Sequence, residues 1–252
     1  MSVKKFIPNL LTLLNLVSGT IAVFLAVNNF LVEAAIFVFL GILFDFFDGF
    51  VARLLNVQAE LGKQLDSLAD IVTSGVVPGI VMFQLLKSSV AKQSWSSGVF
   101  EVQDVSDYLN ESTFIGLLGL LITLGAAYRL ANFNIDERQS NSFIGLPTPA
   151  VALVVLSLPL ILSYSSNEWV IEIIQNTWVL VAITLVLCYL MNAEIHLFSF
   201  KFKDFGWGKN KVKYLFIFMT AVLGTLLQFA AIPLLILLYV VFSVIENKYV
   251  KG

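Results

Sequence analysis

The chain has 252 residues, 58% of them hydrophobic and 13% charged, with a mean hydropathy of +0.89 and a net charge of −2. A charged share about half that usual for soluble domains excludes an ordinary soluble protein and a disordered chain. The near-neutral balance excludes a nucleic-acid-binding module, and the single cysteine, Cys188, excludes an intramolecular disulfide and a cysteine-built metal site.

What remains is an all-α, polytopic transmembrane bundle, because the apolar runs are continuous rather than the short alternating segments of a barrel. A helix needs about 20 apolar residues to cross a bilayer. On that measure about eight spans are predicted in chain order, near 8–27, 32–53, 61–86, 113–132, 147–165, 172–192, 212–229 and 231–247. The first begins at Pro8, a residue suited to a helix start. Its apolar run is too long for a cleaved signal peptide. The fifth starts through Pro147 and Pro149, which an early helical position tolerates. Spans seven and eight are parted only around Gln228 to Pro233 and read as a tight hairpin. No linker or repeat divides the chain, so residues 1–252 read as a single integral membrane domain.

Charge placement orients these spans. With a cytoplasmic N-terminus, thirteen Lys and Arg residues fall inside and only Lys87 and Lys92 fall outside. The positive-inside rule then puts both termini on the cytoplasmic side of the cell (inner) membrane. The outer loop near 87–112 carries Glu101, Asp104, Asp107 and Glu111 and reads as a solvated acidic excursion. Lys201, Lys203, Lys209, Lys211 and Lys213 form an inner basic segment that orientation explains. Trp95, Trp169, Trp178 and Trp207 fit interfacial positions.

Ionisable groups within a span are costly, so they mark function. Asp45 and Asp48 lie near the inner end of span two, and Asp66 and Asp70 near the inner start of span three. Spacings of three and four put each pair on one helix face. The short connection makes the two helices antiparallel neighbours, so the four carboxylates gather at one depth. Arg53 and Lys63 are the nearby cations in sequence. An all-oxygen set favours two divalent cations, Mg²⁺ or Mn²⁺ with Ca²⁺ possible, forming a clamp for phosphate chemistry. Gly49 and Gly62 would let a ligand approach the backbone. The bland alternative is a water-solvated cluster.

Residues 45–70 read DFFDGFVARLLNVQAELGKQLDSLAD. This stretch resembles the signature of the CDP-alcohol phosphotransferase family, D-x2-D-G-x2-A-R-x8-G-x3-D-x3-D, and matches all eight fixed positions. The resemblance implies a six-helix core, here extended by the C-terminal hairpin, usually in a homodimer. It implies that a CDP-linked substrate is cleaved at its diphosphate, with CMP leaving. Asp45, Asp48, Asp66 and Asp70 would hold two metals, and Asp70 would also be the general base. Gly49, Ala52, Arg53 and Gly62 would line the CMP-diphosphate site.

Further segments narrow the acceptor. IPNLLTLLNLVSGT (7–20), YRLANFNID (128–136) and FIGLPTPA (143–150) resemble the membrane-embedded phosphatidylserine synthase branch. The implied substrates are CDP-diacylglycerol and L-serine, among membrane lipids and with no nucleic acid. Serine's carboxylate needs a cation, and Arg129 or Arg138 could supply it, although both also suit topology. Asn132 and Asn134 could add polar contacts or cap the span. Thr12 and Asn15 face either the nucleotide cavity or a neighbouring helix, while Ser18 and Thr20 read as packing residues. His196, the lone histidine, receives no role, and Cys188 reads as core. Two rival readings differ in outcome. One changes the acceptor to glycerol 3-phosphate or inositol phosphate, for which a denser basic cluster is expected. The other is a cation transporter, against which stands the confinement of all four acids to one window.

Overall fold

A computed structural model describes residues 3–57, 59–91, 110–136, 143–197 and 207–250. Helices α1 (Val3–Val27) and α2 (Leu31–Leu54) pack side by side around a turn at Asn29. Asn29 has a φ of 60° and Asn56, after α2, a φ of 52°. Asparagine tolerates this left-handed conformation, so each residue reverses the chain within a few positions. Helix α3 (Glu60–Asp70) runs through a π-helical turn (Ile71–Val76) into α4 (Val77–Val90). The three segments make one 31-residue span. The turn is bonded i to i+5, with the Val77 amide donating to the Val72 carbonyl.

The Asn110 side chain caps α5 (Glu111–Gly116) by accepting from the Thr113 amide at 3.0 Å. A 3-10 turn then leads into α6 (Leu121–Ile135). Helix α7 (Thr148–Tyr164) is apolar all round and buried along most of its length, as expected of a helix surrounded by others. It packs on α2, α4 and α11 (Ala231–Val250). By contrast α1 and α2 expose Phe24, Ile36, Phe39 and Phe46, an outer surface suited to lipid. Helices α8 (Glu168–Gln175) and α9 (Thr177–Asn192) meet at a 72° bend. Asn176 makes the break by capping α9, accepting from the Trp178 and Val179 amides at 2.9 and 3.3 Å. Span six is therefore not continuous over 172–192.

Length and hydropathy alone give fewer spans than eight. Among the described residues, five stretches are long and apolar enough to cross a membrane, or six with the bent pair counted as one. Eight is reached only by adding α7, a 17-residue helix, and by splitting the final stretch Tyr214–Ile245. That stretch does fold back. The Phe216 ring lies 5.8 Å from Tyr239 and 6.4 Å from Phe242. Residues 216 and 239 would stand about 35 Å apart on a straight helix. Helix α10 (Trp207–Leu227) and α11 are thus the arms of the expected hairpin, turning at Gln228–Ala230. Gln228 takes a φ of 50° at the turn.

Two further corrections concern local structure. Helix α1 starts at Val3, so Pro8 lies inside it rather than at its start. The segment before the apolar run is itself helical. The bundle also carries one small β ladder, in which β1 (Phe143–Ile144) pairs antiparallel with β2 (His196–Leu197). Gly145 follows with a φ of 75°, and its amide donates to Ile195 O at 2.9 Å. A Cβ there would collide with the Met191 carbonyl. Gly145→Ala should therefore destabilise the protein by about 1–3 kcal/mol, read as a lower unfolding temperature in detergent. An unchanged temperature would show that this junction bears no strain. Arg138, Lys92, Trp95, Lys201, Lys203 and the acids Glu101, Asp104 and Asp107 lie outside the described residues.

Candidate active site

The inner end of α2 and the start of α3 bring the signature acids together. Asp45, Asp48 and Asp66 each offer one carboxylate oxygen, and the three oxygens lie within 4.8 Å of one another. Three negative groups so close inside a span require a compensating cation or proton. Asp66 Oδ1 is buried and has no hydrogen-bond partner, an orphan that a bound metal ion would satisfy. The donor set is all oxygen and suits a hard divalent cation. The residues present fit such an ion.

Asp70 stands one turn further along and outside that triplet. Its Oδ1 accepts from Asn15 Nδ2 at 3.2 Å. Thr73, in the π turn, donates to Asn15 Oδ1 at 2.7 Å and so fixes which way the amide faces. This node is tightly enclosed. A Cβ at Gly19 would sit 2.5 Å from Thr73 Oγ1, and one at Gly41 2.8 Å from Asn15 Oδ1. Helix α1 also reaches Asp48, whose Oδ2 accepts from the Thr12 hydroxyl. Sequence reading left Thr12 and Asn15 between two roles. Both bond to other helical segments, Thr12 to Asp48 and Asn15 to Asp70 and Thr73, and of the two only Thr12 also lines the neighbouring cavity. Ser18 is buried, whereas Thr20 is exposed and bonds back to Leu16 O at 2.8 Å.

A cavity of about 550 Å³ opens beside the triplet. Gly49, Ala52, Arg53 and Gly62 all line it, together with Asp48 and Asp66. Asn9, Thr12, Glu60 and Lys63 line it too. Asn9, Thr12 and Asn15 recur every three residues, a shared helix face that was the available signal for Asn9. Lys63 has a second contact: its Nζ donates to Asn134 O at 2.8 Å. Asn134 Nδ2 in turn donates to Ser67 Oγ at 2.8 Å, so α3 is tied to the end of α6.

Arg129 on α6 is 7% exposed. Its guanidinium acts electrostatically on Asp70 and lies 5.9 Å from the Phe133 ring centroid, while its Nε is buried without a partner. Arg129 and Asn132 line a second cavity, of about 390 Å³, together with Asp136, Asn192 and Glu194. Arg138 lies outside the described residues. Cys188 is half-buried.

The sequence model of the CDP-alcohol phosphatidyltransferases matches residues 5–190. The chain belongs to the CDP-alcohol phosphatidyltransferase family. The matched range covers α1 to α9 and leaves the C-terminal hairpin outside. Among curated relatives, a CDP-diacylglycerol–serine O-phosphatidyltransferase of Bacillus subtilis is 32% identical over 199 residues, 78% of this chain and 92% of the relative. An archaetidylserine synthase of Methanothermobacter thermautotrophicus is 32% identical over 162 residues, 63% of this chain and 60% of the relative. A CDP-diacylglycerol–serine O-phosphatidyltransferase of Methanocaldococcus jannaschii is 31% identical over 170 residues, 66% of this chain and 68% of the relative. As a CDP-alcohol phosphatidyltransferase, the protein is an enzyme whose apolar helices are long enough to cross a membrane, and its Asp45, Asp48 and Asp66 form a cluster that could hold a metal ion.

Proposed function

We propose that this enzyme transfers phosphatidyl from CDP-diacylglycerol to L-serine, giving phosphatidylserine and CMP. The reading is carried by the meeting of Asp45, Asp48 and Asp66, of which Asp48 and Asp66 line the same cavity as Gly49, Ala52, Arg53 and Gly62. The names of the relatives supply the substrates. Asp45, Asp48, Asp66 and Asp70 would hold two divalent cations, Mg²⁺ or Mn²⁺, with Ca²⁺ the alternative. Bound there, the metals would neutralise the diphosphate and the departing CMP oxygen.

The chain's own groups do the rest. Gly49, with no side chain, and Ala52, with a methyl group, leave room for CMP to lie close to the helix, and Arg53 at the same wall pairs with phosphate. Asn15 holds Asp70 Oδ1, leaving Oδ2 to take the serine hydroxyl proton. The serine oxygen then bonds to the lipid-side phosphorus, and the bond from that phosphorus to the CMP oxygen breaks. Arg129, beside Asp70, holds the serine carboxylate. The excess of basic residues predicted on one side supports a cytoplasmic site in the cell membrane, and the family resemblance supports a homodimer.

The test is CMP release by purified protein given CDP-diacylglycerol, Mg²⁺ or Mn²⁺, and serine, glycerol 3-phosphate or inositol phosphate in turn. Release that requires serine is expected, and release only with another acceptor sinks the reading. Arg129→Ala should raise the serine KM by about ten- to a hundredfold, the loss of one charged hydrogen-bond partner. The KM for CDP-diacylglycerol should move far less. Equal shifts for both substrates would remove Arg129 from the serine site.

A further inference from the structure

Three residues beyond the last signature aspartate, Thr73 sits fully buried in the π-helical turn and does not line the cavity beside the acids. Its polar neighbour is Asn15 on α1, equally buried. The Thr73 hydroxyl has one proton and three acceptors near it: Asn15 Oδ1 at 2.7 Å, Ala69 O at 3.2 Å and Asn15 O at 3.4 Å. The nearest acceptor takes the proton, because a hydroxyl donates once and the bond weakens with length. That choice leaves the Asn15 amide one favourable orientation. Turned over, its oxygen would stand where Nδ2 now lies, 3.2 Å from Asp70 Oδ1, with two acceptors face to face. Donation to the amide oxygen also polarises the amide and strengthens the bond that Nδ2 gives to Asp70.

Two glycines close around this pair. A Cβ at Gly19 would lie 2.5 Å from Thr73 Oγ1 and 3.2 Å from its Cα. One at Gly41 would lie 2.7 Å from Thr73 Cγ2 and 2.8 Å from Asn15 Oδ1. Gly19 belongs to α1 and Gly41 to α2, so three segments meet around the Thr73 side chain. Packing this close to backbone holds both side chains in one rotamer. Among the described residues, Asp70 has no hydrogen bond besides the one from Asn15. We infer that Thr73 is a positioning residue for the transfer. Acting through Asn15, it holds the Asp70 carboxylate by one oxygen and so sets the direction of the other, which takes the acceptor's proton. This rests on the reading of Asp70 as the base and deepens it. It does not depend on which hydroxyl compound is the acceptor. Proton transfer from a bound hydroxyl is sensitive to small misplacements of the base, so a side chain that never touches substrate acts on the rate.

The experiment measures CMP release by the full-length enzyme and by Thr73→Val and Thr73→Ser, given the acceptor that supports release. Binding of CDP-diacylglycerol is followed by calorimetry. Valine keeps the volume and loses the hydroxyl, whereas serine keeps the hydroxyl and loses the methyl group. Thr73→Val should lower kcat about ten- to a hundredfold and move CDP-diacylglycerol binding and half-saturating Mn²⁺ by less than about twofold. Thr73→Ser should recover most of that turnover, the reverse of what a packing role predicts. In an Asp70→Asn background Thr73→Val should cost less than about twofold, because the base it positions is already lost. Should Thr73→Val not fold, Thr73→Cys, a weak donor of similar size, takes its place in the same comparisons. The positioning role is overturned, with the base reading intact, if Thr73→Val keeps the unaltered kcat or Thr73→Ser is equally slow. An equal loss in the Asp70→Asn background overturns it too. If Asp70→Asn alone turns over at the unaltered rate, the base reading falls and the positioning role falls with it.

Discussion

Asp70→Asn should lower the turnover of CMP release by about a hundred- to ten-thousandfold, the range that a general base contributes. The substitution keeps the shape and removes the negative charge together with the ability to take a proton. Its amide oxygen can still accept from Asn15 Nδ2, as Asp70 Oδ1 does at 3.2 Å, so the node with Thr73 is preserved. Asp70 lies outside the triplet of meeting carboxylates, so the cation site keeps its three converging oxygens. Binding of CDP-diacylglycerol, measured by calorimetry on the purified protein, should therefore persist. Turnover and binding falling together would make Asp70 a ligand and nothing more.

Asp66→Asn should act on the metal instead. Asp66 Oδ1 is buried and unpartnered, and its side chain belongs to the triplet. Losing a group one shell out from a metal typically costs ten- to a hundredfold in affinity, so loss of a direct ligand should raise half-saturating Mn²⁺ by at least about a hundredfold. The same change removes one of several crowded negative charges. In metal-free buffer the variant should therefore unfold at a higher temperature than the unaltered protein. The rise that metal gives the unaltered protein should shrink in the variant. A water-solvated acidic cluster predicts otherwise: the metal dependence of activity would not change.

What was legible in the sequence followed short-range geometry. Spacings of three and four on adjacent helices are set by the helix itself, so the approach of Asp45, Asp48 and Asp66 could be read before any coordinates. The same holds for Gly49, Ala52, Arg53 and Gly62, which lie on the same short stretch as the acids and line the same cavity. The hydrogen bond from Asn15 to Asp70 was not legible, because it joins residues 55 positions apart on different helices. Nor was the tie from Lys63 to Asn134, which joins residues 71 positions apart. The span count was less legible for a related reason. Hydropathy registers apolar character, but α7 is apolar because other helices surround it, and so it can be shorter than the spans that face lipid. The bend at Asn176 was hidden because apolar residues continue on both sides, while one capping side chain makes the break.

The π-helical turn at Ile71–Val76 changes how this span can evolve. An α-helix advances about 100° for each residue, so one extra residue in a wide turn resets the azimuth of everything beyond it. Upstream, the aim of Asp66 and Asp70 is set by one phase. Downstream, Val77, Val81 and Leu85 keep a separate phase that points them into the core. Without the insertion, packing the outer half correctly would swing the acids by about a quarter turn, away from α2. The chemistry at one end of the span and the packing at the other are thereby uncoupled. Substitutions can accumulate in the outer half, to suit a different bilayer or neighbour, without re-aiming the carboxylates.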